Sequence, residues 1–102
     1  DDDISSVCAS FNLEIKNKKI KNIKIAYGGM ASIPKRAINC EKTLINTNIS
    51  EENIEKAKKI LEKDFKPISD MRASKNYRME IAKNLLMKCF MEIKDDKLIR
   101  LN

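Results

Sequence analysis

The sequence predicts an α+β fold, an antiparallel meander of three or four strands followed by helices packed on one of its faces. Hydrophobic residues recur with a period of two up to Tyr27 and with a helical period only after Cys40, so strands come first and helices afterwards. No βαβ alternation interrupts that order, which sets aside a doubly wound parallel sheet. Apolar matter suffices for a core: 15 Ile, 7 Leu, 3 Phe and 1 Val make 26 of 102 residues, about a quarter. That exceeds the roughly one-fifth below which a highly charged chain stays disordered.

The first strand is read from Val7 to Ile15. Val7, Ala9, Phe11, Leu13 and Ile15 alternate with Cys8, Ser10, Asn12 and Glu14, the pattern of a strand with one buried face. Lys16-Asn17-Lys18-Lys19 is a tight turn, because Asn17 tolerates positive φ. A second strand runs from Ile20 to Tyr27 with Ile23, Ile25 and Tyr27 on one side, and it pairs with the first as a hairpin. Gly28-Gly29 ends it, and a shorter third strand is expected from Lys35 to Asn39, set off by Pro34. Ala26, Met30 and Ala31 beside the glycine pair form a small-residue region that another backbone can approach.

Helical signals follow. Glu41 to Asn46 is at most one helical turn. Ser50 is an N-cap, with Glu51 and Glu52 at the positive end of the helix dipole. The helix behind it carries Ile54, Ala57, Ile60, Leu61 and Phe65 on one stripe, and Pro67 stops it. Ser74 is the next N-cap, opening a helix from Lys75 to Ile93 whose core stripe is Tyr77, Ile81, Ala82, Leu85, Cys89, Phe90 and Ile93. Residues 1–94 are thus expected to form one domain, and 95–102 a tail.

The charge is +6, from 21 Lys and Arg against 15 Asp and Glu. Lysines interleave with glutamates, as from Glu55 to Lys63, and the five aromatic residues fall largely at core spacings, so no nucleic-acid partner is expected. No apolar run approaches the ~20 residues of a membrane span. Cys8, Cys40 and Cys89 come without any histidine, so neither a metal site nor an activated thiol is expected; buried free thiols fit a cytoplasmic protein. No catalytic set is present. The absence of an initiator Met before Asp1-Asp2-Asp3 reads as a piece of a longer protein.

Two motifs carry a family resemblance. Ile25-Ala26-Tyr27-Gly28-Gly29-Met30-Ala31 is followed, about forty residues on, by Pro67-Ile68-Ser69-Asp70-Met71-Arg72-Ala73-Ser74-Lys75-Asn76-Tyr77-Arg78. In that order they closely resemble the C-terminal part of the FAD-binding subunit of xanthine dehydrogenase, a molybdenum hydroxylase, with carbon monoxide dehydrogenase medium subunits as relatives. The likeness runs from Asp2 to about Glu92.

The resemblance implies an FAD subunit that passes electrons from iron–sulfur clusters of the 2Fe-2S type to NAD, after hypoxanthine or xanthine is hydroxylated at a molybdopterin centre in a partner subunit or domain. The family's flavin-binding loops lie mostly upstream of residue 1, so the isolated piece is expected to be inactive. Asp2, Asp3 and Ile4 match the family's Asp-Asp-Ile stretch near the isoalloxazine ring. Tyr27, Gly28 and Gly29 are a strand-end packing device, since no helix start follows to cradle phosphate. Arg72 pairs with Asp70 or with loose carbonyls ahead of Ser74 and sets how the last helix approaches; Tyr77 joins the core with its hydroxyl at the edge, and Arg78 faces Asp70 or a partner. Two other classes compete: a stand-alone interaction module of the same fold, and a basic nucleic-acid-binding domain.

Overall fold

A computed structural model describes residues 7–65 and 72–95. Three antiparallel strands in the order β1-β2-β3, β1 (Cys8–Lys16), β2 (Lys19–Gly28) and β3 (Lys35–Arg36), precede α1 (Ile38–Leu44), α2 (Glu51–Asp64) and α3 (Arg72–Asp95). The α+β class read from the hydrophobic period is the class observed.

Lys16 pairs with Lys19, leaving Asn17 and Lys18 as a two-residue turn. Both have positive φ, 56° and 66°, as a primed hairpin turn requires. The register shifts between Glu14 and Ile15, so that Glu14 faces Asn22 while Ile15 faces Ile20, and Lys21 is the extra residue of a bulge. The bulge explains a pattern that strict alternation does not. Ile20 and Ile23 are three apart, yet both are buried, along with Ile15, Ile25 and Tyr27.

The third strand is shorter than expected. Only Lys35 and Arg36 pair, with Tyr27 and Ala26, and from Ile38 the chain winds into α1 rather than extending to Asn39. The cause lies 25 residues away. Asp64, the last residue of α2, accepts hydrogen bonds from the backbone N–H groups of Asn39 (2.8 Å) and Cys40 (2.9 Å), which are among the orphan donors of a helix start. The N-cap of α1, Ala37, offers no side-chain cap, so a carboxylate from another helix does that work and complements the helix dipole.

In α2, Ser50 caps as expected, its Oγ accepting from Asn53 N–H at 3.2 Å. Ile54, Ala57, Leu61 and Phe65 are buried, whereas Ile60 is only partly so and Asp64 occupies the stripe instead. Helix α3 starts at Arg72, so Ser74 lies within its first turn and is not its N-cap; Arg72 and Ala73 are ordinary helix formers. Its buried ridge is Ala82, Leu86 and Phe90, spaced four apart. Leu86 was absent from the expected stripe. Tyr77, expected in the core, is 52% exposed; it leads a parallel ridge whose next members, Ile81 and Leu85, are only partly buried. Asp2, Asp3, Ile4, Pro67, Asp70 and the expected tail beyond Asp95 lie outside the described residues.

Tyr27 joins the two layers. It is fully buried, its ring meets Phe11 and Phe65 edge to face at centroid distances of 6.2 Å and 5.6 Å, and Phe11 meets Phe90 at 6.5 Å. Its hydroxyl donates to the Ala82 carbonyl at 2.8 Å, so the last inward position of β2 is tied to the middle of α3. Aromatic pairs in this geometry add about 0.5–1.5 kcal/mol beyond area burial.

Two outcomes follow. Tyr27→Phe removes the hydroxyl without the ring and should lower unfolding free energy in urea by about 1 kcal/mol. Lys18→Gly relieves a left-handed side-chain residue and should raise it by about 0.5–1 kcal/mol, the strain relief exceeding the added unfolded-state entropy. A Lys18→Gly midpoint below the parent's would contradict the turn geometry.

Candidate functional site

The two sequence motifs touch at one end of the molecule, through Arg78. Tyr27 and Gly28 finish β2 there, Gly29 turns with φ 86°, and Arg78, in the second turn of α3, donates from Nη1 to the Gly29 carbonyl at 3.3 Å. The start of β1 is there too, since Cys8 pairs with Gly28. The close approach expected at the glycine pair is made by a side chain: a Cβ on Gly28 would lie 2.9 Å from Cys8 Sγ. The loop after Gly29 carries Ile33, 69% exposed. A cleft of about 340 Å³ opens beside it, lined by Met30, Ala31, Ser32, Lys35, Lys63, Asp64 and Phe65. Lys35 donates to the Asp64 carbonyl at 2.9 Å with its ammonium 5.6 Å from the Phe65 ring centroid.

Glu41 and Asp64 are buried carboxylates with full sets of partners. Glu41 accepts from Ile25 N–H at 2.7 Å and from both Nε and Nη2 of Arg36, at 3.1 Å and 2.7 Å. The fork holds Arg36 more firmly protonated than usual, through the hydrogen bond first and charge second. Asp64 spends both oxygens on the start of α1, with Asn39 Nδ2 a further donor at 3.1 Å. Neither residue was singled out in the sequence. The signal available was an acid on an apolar stripe, which Asp64 is and which a carboxylate occupies only with partners.

Of the expected site residues, the structure brings Tyr27, Gly28, Gly29 and Arg78 together. It leaves Tyr77 on the surface and fixes only the backbone of Arg72 and Ser74; Asp2, Asp3, Ile4 and Asp70 lie outside the described residues. The thiols differ from expectation. Cys40 is buried, Cys89 half-buried and Cys8 exposed, because Cys8 belongs to the outward register of β1.

The CO dehydrogenase flavoprotein C-terminal domain family matches residues 1–93. This chain belongs to that family. It is 32% identical over 91 residues to the glyceraldehyde dehydrogenase medium chain of Sulfolobus acidocaldarius, covering 89% of this chain and 32% of that one. It is 26% identical over 90 residues to a xanthine dehydrogenase FAD-binding subunit of Escherichia coli, covering 88% and 31%. Among solved structures, reconstituted CO dehydrogenase from Oligotropha carboxidovorans superposes with a TM-score of 0.70 at 25% identity, over 81% of this chain and 29% of that one. Quinoline 2-oxidoreductase from Pseudomonas putida 86 shares the fold, with a TM-score of 0.71 at 22% identity over 84% and 30%. The chain therefore spans about a third of the length of the relatives it matches.

The starts of α1 and α2 do not by themselves fit the diphosphate of FAD. A phosphate cradle needs free N–H groups at a helix start. Those of α1 are taken by Asp64, and the start of α2 is closed by Ser50 and flanked by Glu51 and Glu52. Among the described residues, no group of three or more His, Cys, Asp and Glu is placed to hold a metal ion.

Thiol chemistry tests this burial. Burial, then the charges of Asp64 and Glu41, pushes the Cys40 thiol up to about 12 from its ordinary 9.0; burial and Glu92 push Cys89 up to about 11. Burial raises the Tyr27 phenol in the same direction. Each folded-state value lies above the unfolded one, so the stability these groups contribute is intact below pH 9 and is lost as pH rises through 11 and 12. At pH 8 iodoacetamide should modify Cys8 first, Cys89 slowly and Cys40 only on unfolding, with urea midpoints that fall above pH 9. Equal labelling of all three thiols in the folded protein would refute the arrangement.

Proposed function

We propose that this domain serves an FAD-binding subunit of a molybdenum hydroxylase by forming part of the flavin pocket wall and a docking surface for the molybdenum and iron–sulfur parts. The observation that carries the proposal is the meeting of the two motifs at one end of the fold, Arg78 against Gly29, where β1 also begins. Asp2, Asp3 and Ile4 stand four to six positions ahead of β1 in the sequence, and in this reading they run beside the isoalloxazine ring. The diphosphate is then held by the upstream part of the subunit, consistent with the occupied starts of α1 and α2. Bound FAD supplies two-electron redox chemistry; this domain shapes the potential around it and excludes water.

On this reading electrons arrive from 2Fe-2S clusters and leave for NAD, and the 102-residue domain has no activity of its own. Its location is cytoplasmic, in keeping with three unpaired thiols. No helix among the described residues is long and apolar enough to cross a membrane. Hypoxanthine or xanthine is the substrate class suggested by the segment from Asp70 to Arg78. A small aldehyde is the second reading, favoured by the higher identity to the medium chain named for glyceraldehyde than to the one named for xanthine.

The test uses the full-length subunit with the chains that accompany it. Its absorption spectrum should show flavin and iron–sulfur bands. Asp2→Asn and Asp3→Asn should slow the flavin-to-NAD step in stopped flow by roughly tenfold, an electrostatic change of about 1.4 kcal/mol, while leaving reduction by substrate unchanged. An unchanged flavin-to-NAD rate in both variants removes the flavin-proximal role, and a spectrum without flavin removes the enzyme reading.

A further inference from the structure

The helices cover one face of the sheet and leave the other to solvent. Every second residue of β1, from Cys8 through Ser10, Asn12 and Glu14 to Lys16, is exposed. Beside them stand Lys19, Lys21, Asn22 and Lys24 of β2, all exposed, and Arg36 of β3, which pairs with the outward Ala26. Four exposed lysines thus lie on or beside a face where the carboxylate among the outward residues is Glu14, itself holding Asn22 Nδ2 at 2.7 Å, while Arg36 is already engaged by Glu41. This differs from α2, whose lysines Lys56 and Lys58 pair with Glu52 and Glu55. A cleft of about 450 Å³ runs across the basic face between Asn12, Glu14, Asn22, Lys24 and Arg36.

We infer that this uncovered sheet face docks an acidic polypeptide segment of a partner chain, whose carboxylates meet Lys16, Lys19, Lys21 and Lys24 and whose backbone meets the Asn12 and Asn22 amides. Charge complementarity selects the occupant. Phe11 and Tyr27 point into the core, so the face offers no ring for a base to stack on, and the Asn12 and Asn22 amides in the cleft offer a polypeptide backbone both donors and acceptors. The inference deepens the docking part of the function proposed above and rests on it for the existence of a partner chain.

The test is zero-length carbodiimide cross-linking of the full-length protein purified with its accompanying chains, which joins a lysine only to a carboxylate in contact. Links from Lys21 or Lys24 to Asp or Glu of another chain should exceed interchain links from Lys56 and Lys59 by about tenfold, and Lys21→Ser with Lys24→Ser should weaken association by about tenfold at ~0.15 M salt, with Lys56→Ser and Lys59→Ser as the control pair. Circular dichroism checks that both pairs remain folded. Equal linking from the α2 lysines, unaltered association of the Lys21 and Lys24 variant, or links abolished by nuclease would each overturn the inference. Links that persist in a sample without a flavin spectrum uphold it while removing the enzyme reading.

Discussion

The far edge of β2 is the constraint around which this fold is organised. One edge is paired along its whole length by β1, but the other has only two residues of β3 to cover it. A strand edge left open within a core costs about 1–3 kcal/mol for each unsatisfied group. The chain closes it piecewise. Near the hairpin, Ile20 N–H reaches the Thr47 carbonyl at 2.9 Å and Asn46 N–H reaches the Ile20 carbonyl at 2.7 Å. Further along, Ala37 N–H meets the Ile25 carbonyl at 2.8 Å, and the Glu41 carboxylate takes the Ile25 N–H as a neighbouring strand's carbonyl would.

A carboxylate used in place of a strand must be neutralised and held, because an unpaired buried charge is worth several kcal/mol of destabilisation. Arg36 does both through its two-pronged bond to Glu41, from a position fixed by β3. Glu41 sits on α1, whose short span needs its own anchor, and Asp64 of α2 supplies it at the helix start. The exposed ion pairs are a different matter. Lys56 with Glu52 and Lys58 with Glu55 are solvated and contribute little, since such pairs average 0–1 kcal/mol. Lys83 with Glu62 bridges α2 and α3 at the surface.

These anchors place the end of β2 where the family motifs gather. Tyr27 is held by rings on two sides and by the Ala82 carbonyl, so the Gly28-Gly29 turn leaves the core from a rigid base. Arg78 then fastens the turn from α3. A loop fixed at both its backbone and its base suits a surface that must keep its shape against a neighbouring domain. The same arrangement leaves the opposite face of the sheet without apolar side chains large enough to need cover, and collects lysines on it.

Much of this was legible locally. The alternation from Ala9 to Ile15, the positive-φ turn at Asn17, the Ser50 cap and the motif pair each depend on neighbours within a few residues, and those the sequence by itself determined. Only the tertiary structure decided the rest. Residues 38–40 follow helix rather than strand because Asp64 captures the N–H groups of Asn39 and Cys40 from about 25 residues away; no local propensity contains those bonds. Tyr77 lies outside because the fully buried ridge of α3 is that of Ala82, Leu86 and Phe90, beside the Ala82 carbonyl that takes the Tyr27 hydroxyl. Periodicity tells which residues can share a face, but which face is buried depends on the partner it meets.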